Sequence, residues 1–208
     1  MEAAAREALE QEVRRRCERG DFTGAATAAV TGYGPEIYSL LCAIHRDEDD
    51  AADVFSTFSE KLWRGLPSFA WQCALRTWAY TLARNTSRTF LRGVRRDRRG
   101  VPFSEVSDAA RLAEEVRTRT RTWMRTETKD RLTRMRESLP PTDQMLLVLR
   151  IDRGLEWIEL ARILSDEETP DDDALKREAA RLRKRFQLLK EQLVARAKRE
   201  GLLRRKDK

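Results

Sequence analysis

Residues 75–95 read LRTWAYTLARNTSRTFLRGVR. Leu75, Trp78 and Leu82 fall at helical spacing on one side, while Arg84, Arg88, Arg92 and Arg95 step along another, with Arg76 two turns earlier. The pattern predicts a helix with an apolar stripe and a basic ridge. Just upstream, Gly65, Leu66 and Pro67 end a preceding helix, and residues 68–74 form a short loop that carries Phe69 and Trp71. Trp78 and Tyr80 flank the ridge. Arginines interleaved with flat aromatic faces suit single-stranded nucleic acid, because unstacked bases need planar partners. Core packing accounts for Trp78; Trp71, placed in the loop, is the stronger base contact.

Upstream of this stretch, residues 2–19 alternate Glu and Arg with Ala and Leu and stop at Gly20, which predicts an exposed helix without a function of its own. After Asp21, the step Tyr33, Gly34, Pro35 opens a segment whose Ile37, Leu40, Leu41 and Ile44 form a core-facing helical stripe. His45 follows the stripe and reads as a helix-end residue near solvent, since it lacks the partners a metal site needs. Residues 47–60 then carry Asp47, Glu48, Asp49, Asp50, Asp53 and Glu60 with no base, while Val54, Phe55, Phe58 and Leu62 keep helical spacing. Acids in a first turn favour the helix dipole. The surplus beyond capping predicts a basic protein partner.

Downstream, residues 93–108, with Gly100, Val101 and Pro102, read as a linker, and Leu112, Val116 and Trp123 predict a helix running toward Ser138. A second domain starts at Leu139, Pro140 and Pro141. Residues 144–151 are mostly apolar and close at Asp152, Arg153 and Gly154; residues 155–164 form a second short helix, so two helices meet across a tight turn. A third helix, residues 174–199, carries Leu175, Ala179, Leu182, Phe186, Leu189 and Leu193 on one side and Lys176, Arg177, Arg181, Arg183, Lys184 and Arg185 elsewhere. Its beginning has the character of a helix that enters a major groove.

The whole chain has 208 residues, 42 Lys and Arg against 35 Asp and Glu, one His, and a formal charge of +7. An apolar fraction of 40% without long apolar runs predicts a folded, soluble protein with no membrane partner, and the succession of helical patterns along the chain predicts an all-α fold of two small domains. The charge is segregated: residues 76–99 carry +7, residues 174–206 carry +10, and the rest is −10. Two basic blocks in an acidic body fit a protein that touches one polyanion at two places. Enzymatic chemistry finds no support, because His45 has no metal-spaced Cys and neither a Ser-centred elbow nor a Gly-rich phosphate loop occurs. No catalytic residue, metal or cofactor is assigned. Cys17, Cys42 and Cys73 contain no CxxC pair and read as reduced thiols, and the acids near Met1 do not suit an export signal, so a cytoplasmic location is expected.

Tyr33 to Pro35, the acidic run from Asp49 to Val54, Leu66 to Phe69 and above all Leu75 to Asn85 resemble region 2 of the extracytoplasmic-function sigma factors, a subgroup of the sigma-70 family of bacterial RNA polymerase. Leu139 to Pro141, Leu147 to Arg150 and Gly154 to Leu164 are similar to the start of the family's region 4. The two matches, in order, cover about 150 of the 208 residues. The resemblance implies an N-terminal extension over residues 1–20, region 2 over 21–99, a linker with a helix over 100–138, and a region 4 helix-turn-helix over 139–208.

It implies no enzyme but an initiation factor. Residues 49–63 would dock on the clamp helices of the largest subunit of core RNA polymerase through Asp49, Asp50, Asp53, Val54, Phe58, Lys61 and Trp63, and region 4 would meet the polymerase flap. Phe69, Trp71, Gln72, Arg76, Thr77, Trp78, Tyr80, Arg84, Asn85, Arg88 and Arg92 would take the minus ten element of promoter DNA as separated, single-stranded non-template strand. One base would be pulled into a loop pocket, at a cost of a few kcal/mol of stacking. Lys176, Arg177 and Arg181 would read the minus thirty-five element. An anti-sigma factor is a further partner class that the resemblance allows. The chain departs from the family at residues 165–173, SDEETPDDD, where the family's turn is about four residues shorter; acids there repel the phosphates that the third helix should approach.

Two other functions share some of these features. A helix-turn-helix regulator acting on duplex DNA alone would use the second domain and have no need of residues 75–85 or the aromatic loop. A helical scaffold that binds polymerase without melting DNA would lack open-complex formation.

Overall fold

The computed structural model describes residues 2–93, 108–124, 135–167 and 170–200, and every regular element among them is helical. The chain divides into two compact units, Met1–Glu127 and Thr128–Lys208. No helix among the described residues is long and apolar enough to cross a membrane.

The first unit is a bundle built around α2 (Phe22–His45), on which α1 (Ala3–Glu18), α3 (Glu48–Gly65), α4 (Leu75–Leu91) and α5 (Asp108–Met124) all pack. Tyr33, Tyr38, Phe55, Phe58 and Tyr80 are its largest fully buried side chains. Tyr38 and Phe55 meet at 5.3 Å between ring centroids and Phe55 and Phe58 at 5.6 Å. Each such aromatic contributes about 2–3 kcal/mol by leaving water.

Three expectations change here. Tyr33, Gly34 and Pro35 do not open a helix; α2 runs straight through them. Pro35 lies on the exposed side, where the carbonyl that loses its N–H donor is open to solvent, while Tyr33 and Ile37 on the inner side are fully buried. Second, the helix expected inside a linker over residues 100–138 is α5, and it belongs to the first unit through buried Ala113 and Val116. Gly34 permits that approach, because a Cβ there would stand 2.9 Å from Val116 Cγ1. Third, α1, expected as an exposed N-terminal extension, packs on α2 and buries Val13, while most of its other residues stay exposed. Arg95, the turn around Gly100, and residues 125–134, through which α5 was expected to continue, lie outside the described residues.

The second unit is ordered by α6 (Pro141–Leu147), α7 (Trp157–Leu164) and α8 (Asp172–Arg199), with α6 and α7 both resting on α8. The last residues of the α6 segment, Val148–Asp152, widen into a π-helical turn that ends at Gly154, whose φ of +66° a side chain would strain. Glu156 and Glu159 form a reciprocal capping box that starts α7. Asp171 caps α8 by accepting the N–H of Ala174 at 2.6 Å.

Candidate nucleic-acid interface

α3 hands the chain to the aromatic loop through a 3-10 turn, Leu66–Ser68. Phe69 then stacks on Trp78 of α4, with ring centroids 4.6 Å apart and planes 20° from parallel, and Trp71 tilts against Phe69 at 4.9 Å. The three rings form one half-buried platform. Gly65 lets Trp78 lie close to the end of α3, since a Cβ would meet Trp78 Cζ2 at 3.1 Å. Trp71 holds φ at +57°, in the left-handed region that a tryptophan rarely occupies. Gln72 beside it is exposed.

α4 presents a different face from the one its sequence predicts. Its buried side is made of Leu75, Thr77, Ala79, Tyr80, Ala83, Thr86 and Ser87, not of the larger Trp78 and Leu82, which stay half-exposed. The hydroxyl of Thr86 donates to the Leu82 carbonyl at 2.8 Å, so this polar residue is satisfied inside the helix. The helix is therefore turned by about one residue relative to the expected stripe.

Four of the expected DNA contacts consequently lie within the fold. Thr77 and Tyr80 are 1% exposed and belong to the core. Arg76 is 7% exposed: its Nε and Nη2 reach the two Glu36 carboxylate oxygens at 2.8 and 3.0 Å, and its guanidinium lies over the Tyr80 ring. Burial works against its charge, but Glu36 outweighs it and raises the guanidinium pKa above its ordinary value. Arg84 is 8% exposed and donates to Asn85 Oδ1 at 3.3 Å.

Half-exposed Trp78, Thr81 and Arg88, exposed Asn85 and, just past the end of α4, exposed Arg92 are spaced three and four apart and thus aligned along one face. Thr81 was not singled out from the sequence. The stripe begins at the aromatic platform and ends at Arg92.

α3 is acidic at its start for two reasons. Asp47 caps it, accepting the N–H groups of Asp49 at 2.9 Å and Asp50 at 2.8 Å. Asp49, Asp53, Thr57 and Lys61 then lie one turn apart on the exposed side, with Asp50 and Trp63 half-buried. Val54 and Phe58, expected at a partner interface, are 1% and 0% exposed and fill the core instead, because they share the face with Phe55 and Leu62 that packs on α2.

His45 is not a loose helix end. Its Nε2 lies 2.9 Å from Ser87 Oγ of α4 and its ring meets Phe90 edge-on at 5.3 Å. Burial lowers its pKa, against a smaller opposing pull from Asp50. Among the described residues no cluster of His, Cys, Asp or Glu is placed to hold a metal.

In the second unit, Lys176, Arg177 and Arg181 are exposed near the start of α8. Lys176 pairs with Asp173 at 3.2 Å and Arg181 with Glu178 at 2.9 Å, so the acids of this end partly neutralise two of the three cations. Arg185 turns back and forms a bidentate pair with buried Asp143 of α6. A cluster that the sequence did not reveal centres on Trp157 at the start of α7: the guanidinium of Arg150 from the π turn lies 4.7 Å from its ring and that of Arg183 from α8 5.7 Å, with Phe186 of α8 edge-on at 5.5 Å. Its members are up to 36 positions apart, and no local pattern joins them.

Residues 29–97 match the family model for Sigma-70 region 2, a span that holds most of α2, all of α3, the aromatic loop and α4. Over 161 residues, covering 74% of this chain and 82% of the relative, the sequence is 27% identical to the RNA polymerase sigma-H factor of Pseudomonas aeruginosa. The matched span and the aligned relative name the same family, and the exposed face of α4 with its aromatic loop lies inside that span. The first unit of this chain thus carries a match to Sigma-70 region 2, and most of the chain aligns with an RNA polymerase sigma factor.

Proposed function

We propose that this chain is an RNA polymerase sigma factor of the extracytoplasmic-function type that acts in the cytoplasm, by binding and not by catalysis. Phe69, Trp71 and Gln72, with the stripe Trp78, Asn85, Arg88 and Arg92, receive the separated non-template strand of the minus ten element. Asp49, Asp50 and Asp53, with Lys61 and Trp63, dock on the basic clamp helices of core polymerase. Lys176, Arg177 and Arg181 meet the upstream promoter element and the unit that carries them serves as region 4. An anti-sigma factor acting on this chain would have to cover the acidic face of α3 or the α4 stripe.

The observation that carries this reading is the continuity of the aromatic platform with the α4 stripe, which sets stacking surface beside phosphate-binding cations on one helix face. A regulator of duplex DNA alone has no use for that combination. The test is reconstitution: purified chain and core polymerase are mixed with genomic fragments, and transcript starts are mapped together with permanganate reactivity of unpaired thymines. A shared sequence upstream of the starts, with opened thymines beneath it, is expected. Transcription no greater than that of core polymerase alone overturns the reading.

A further inference from the structure

α4 begins without a capping side chain of its own, because Ala74 occupies its N-cap position. Its first two amides are satisfied from a distance. Leu75 N–H donates to Glu10 Oε2 at 2.8 Å and Arg76 N–H to Glu10 Oε1 at 2.9 Å, across 65 and 66 positions of sequence. The Tyr33 hydroxyl donates to the same Glu10 Oε1 at 2.8 Å, so one carboxylate of α1 is bound to both α2 and α4. Burial and the hydrogen bond to Glu10 push the Tyr33 hydroxyl pKa up, which keeps it a donor. One turn further along α1, the Arg14 guanidinium, which also donates to Glu18 at 3.3 Å, lies 5.5 Å from the Trp71 ring centroid. α1 thus touches both ends of the segment that joins the aromatic loop to α4.

We propose that Glu10 is a positioning residue for promoter opening and that Arg14 completes its action: α1 fixes the start of α4 and the seat of Trp71 relative to the bundle. This rests on the assignment of the loop and α4 to the opening surface. A local cap would start the helix equally well. What a carboxylate from α1 adds is registration, since the helix start can move only if α1 and Tyr33 move with it. The stability and the positioning that Glu10 provides are therefore separable.

The separation is made with the full chain bound to core polymerase, comparing wild type, Glu10→Ala, Arg14→Ala and the double variant Glu10→Ala with Ala74→Asp. Ala74 is exposed and its extended backbone suits an aspartate cap. Glu10→Ala is expected to lower Tm and to speed hydrogen exchange of the Leu75 and Arg76 amides by loss of the cap, and to slow opening about tenfold by misplacing the loop and the helix start, with core affinity unchanged. The double variant is expected to recover the share of Tm that the cap supplies, though not the share owed to the Tyr33 hydroxyl, and to leave the opening rate as slow as in Glu10→Ala. Arg14→Ala is expected to slow opening while the two amides keep their protection. Full recovery of opening by Ala74→Asp overturns the proposal, as does wild-type opening by Glu10→Ala. Exchange is read independently of any promoter: unchanged protection of the two amides in Glu10→Ala overturns the proposal even if the wild-type chain opens no DNA, an outcome that separately refutes the assignment of the surface.

Discussion

Arg76 and Arg92 belong to one basic run in the sequence, and the fold assigns them opposite work. Arg76 is enclosed with Glu36, their side chains 9% and 10% exposed, and its charge is answered by both carboxylate oxygens. Removing one member of such a pair leaves an uncompensated buried charge and costs about 3–5 kcal/mol. The lost contact with the Tyr80 face adds about 0.5–1 kcal/mol. For a unit of this size, a loss near 4 kcal/mol lowers Tm by roughly 12–20 °C and removes about a quarter or more of a typical stability of about 5–15 kcal/mol. Arg92 is exposed beyond the end of α4, so Arg92→Ala leaves stability within about 0.5 kcal/mol. On the proposed assignment its effect falls on DNA: each lost phosphate contact to a single strand reduces the slope of log affinity against log salt by about 0.7.

The two variants therefore cross. Arg76→Ala is expected to melt early and, at a temperature where it is folded, to bind promoter with the wild-type salt slope; Arg92→Ala is expected to melt normally with a shallower slope. Melting by circular dichroism and promoter binding by the polymerase complex at several salt concentrations measure both. Glu36→Ala should resemble Arg76→Ala, and the double variant should lose much less than the sum, because no lone charge is left behind. A normally melting Arg76→Ala with a reduced slope would refute the placement of Arg76 and with it the rotation of α4.

Other surfaces give their own tests. Asp49→Lys with Asp53→Lys is expected to weaken core polymerase binding about a hundredfold by placing like charges together, with helix content unchanged because the cap, Asp47, is untouched; normal co-purification would remove α3 from the interface. Trp71→Ala is expected to reduce promoter opening by about one base-stacking contact, 1–3 kcal/mol, while duplex binding changes little; equal losses in both would return Trp71 to packing alone. For His45 the sign follows from its lowered pKa: the unfolded chain, titrating near 6.5, binds the proton more readily than the fold does. Its stabilisation is complete above that value and falls as pH drops through it. His45→Gln, which keeps a partner for Ser87, is expected to flatten the decline in Tm between about pH 7.5 and 5.5, and an unchanged decline would place the titration elsewhere.

The order of helices was legible because their apolar periodicity and their stops are local. The rotation of α4 was not, because the sequence marks large apolar residues while the bundle selects small ones. Ala79, Ala83, Thr86 and Ser87 allow α4 to sit close to its neighbours, and a hydroxyl bonded within its own helix is buried at little cost. Trp78 and Leu82 are left toward the loop, where Phe69 takes the tryptophan. The burial of Arg76 depends on Glu36, forty positions upstream, and the cap on α4 depends on Glu10. Nothing adjacent to either residue announces such a partner. The acidic surface of α3 was legible in composition but not in its division between Asp47 as cap and Asp49 and Asp53 as exposed charge, which requires the helix start to be fixed first.

Under the proposed assignment of the loop and α4 to the opening surface, these non-local contacts answer an energetic demand of strand opening. Stacking one base on an aromatic ring contributes about 1–3 kcal/mol, while pulling that base from its duplex costs a few kcal/mol, so the two nearly cancel. Ordering a free loop of the length of residues 69–74 would add about 1–2 kcal/mol per residue, more than one or two stacked bases return. A loop ordered only on contact with DNA would therefore oppose opening. Here the order is present before DNA arrives: Phe69 is stacked on Trp78, Trp71 is held at a strained φ beneath Arg14, and the next two amides are bound to Glu10. The strain at Trp71, of order 1–3 kcal/mol, persists only because its surroundings determine it. On this argument, folding supplies the order that strand capture needs, and loosening any of these three attachments should slow opening more than it weakens the first encounter with duplex DNA.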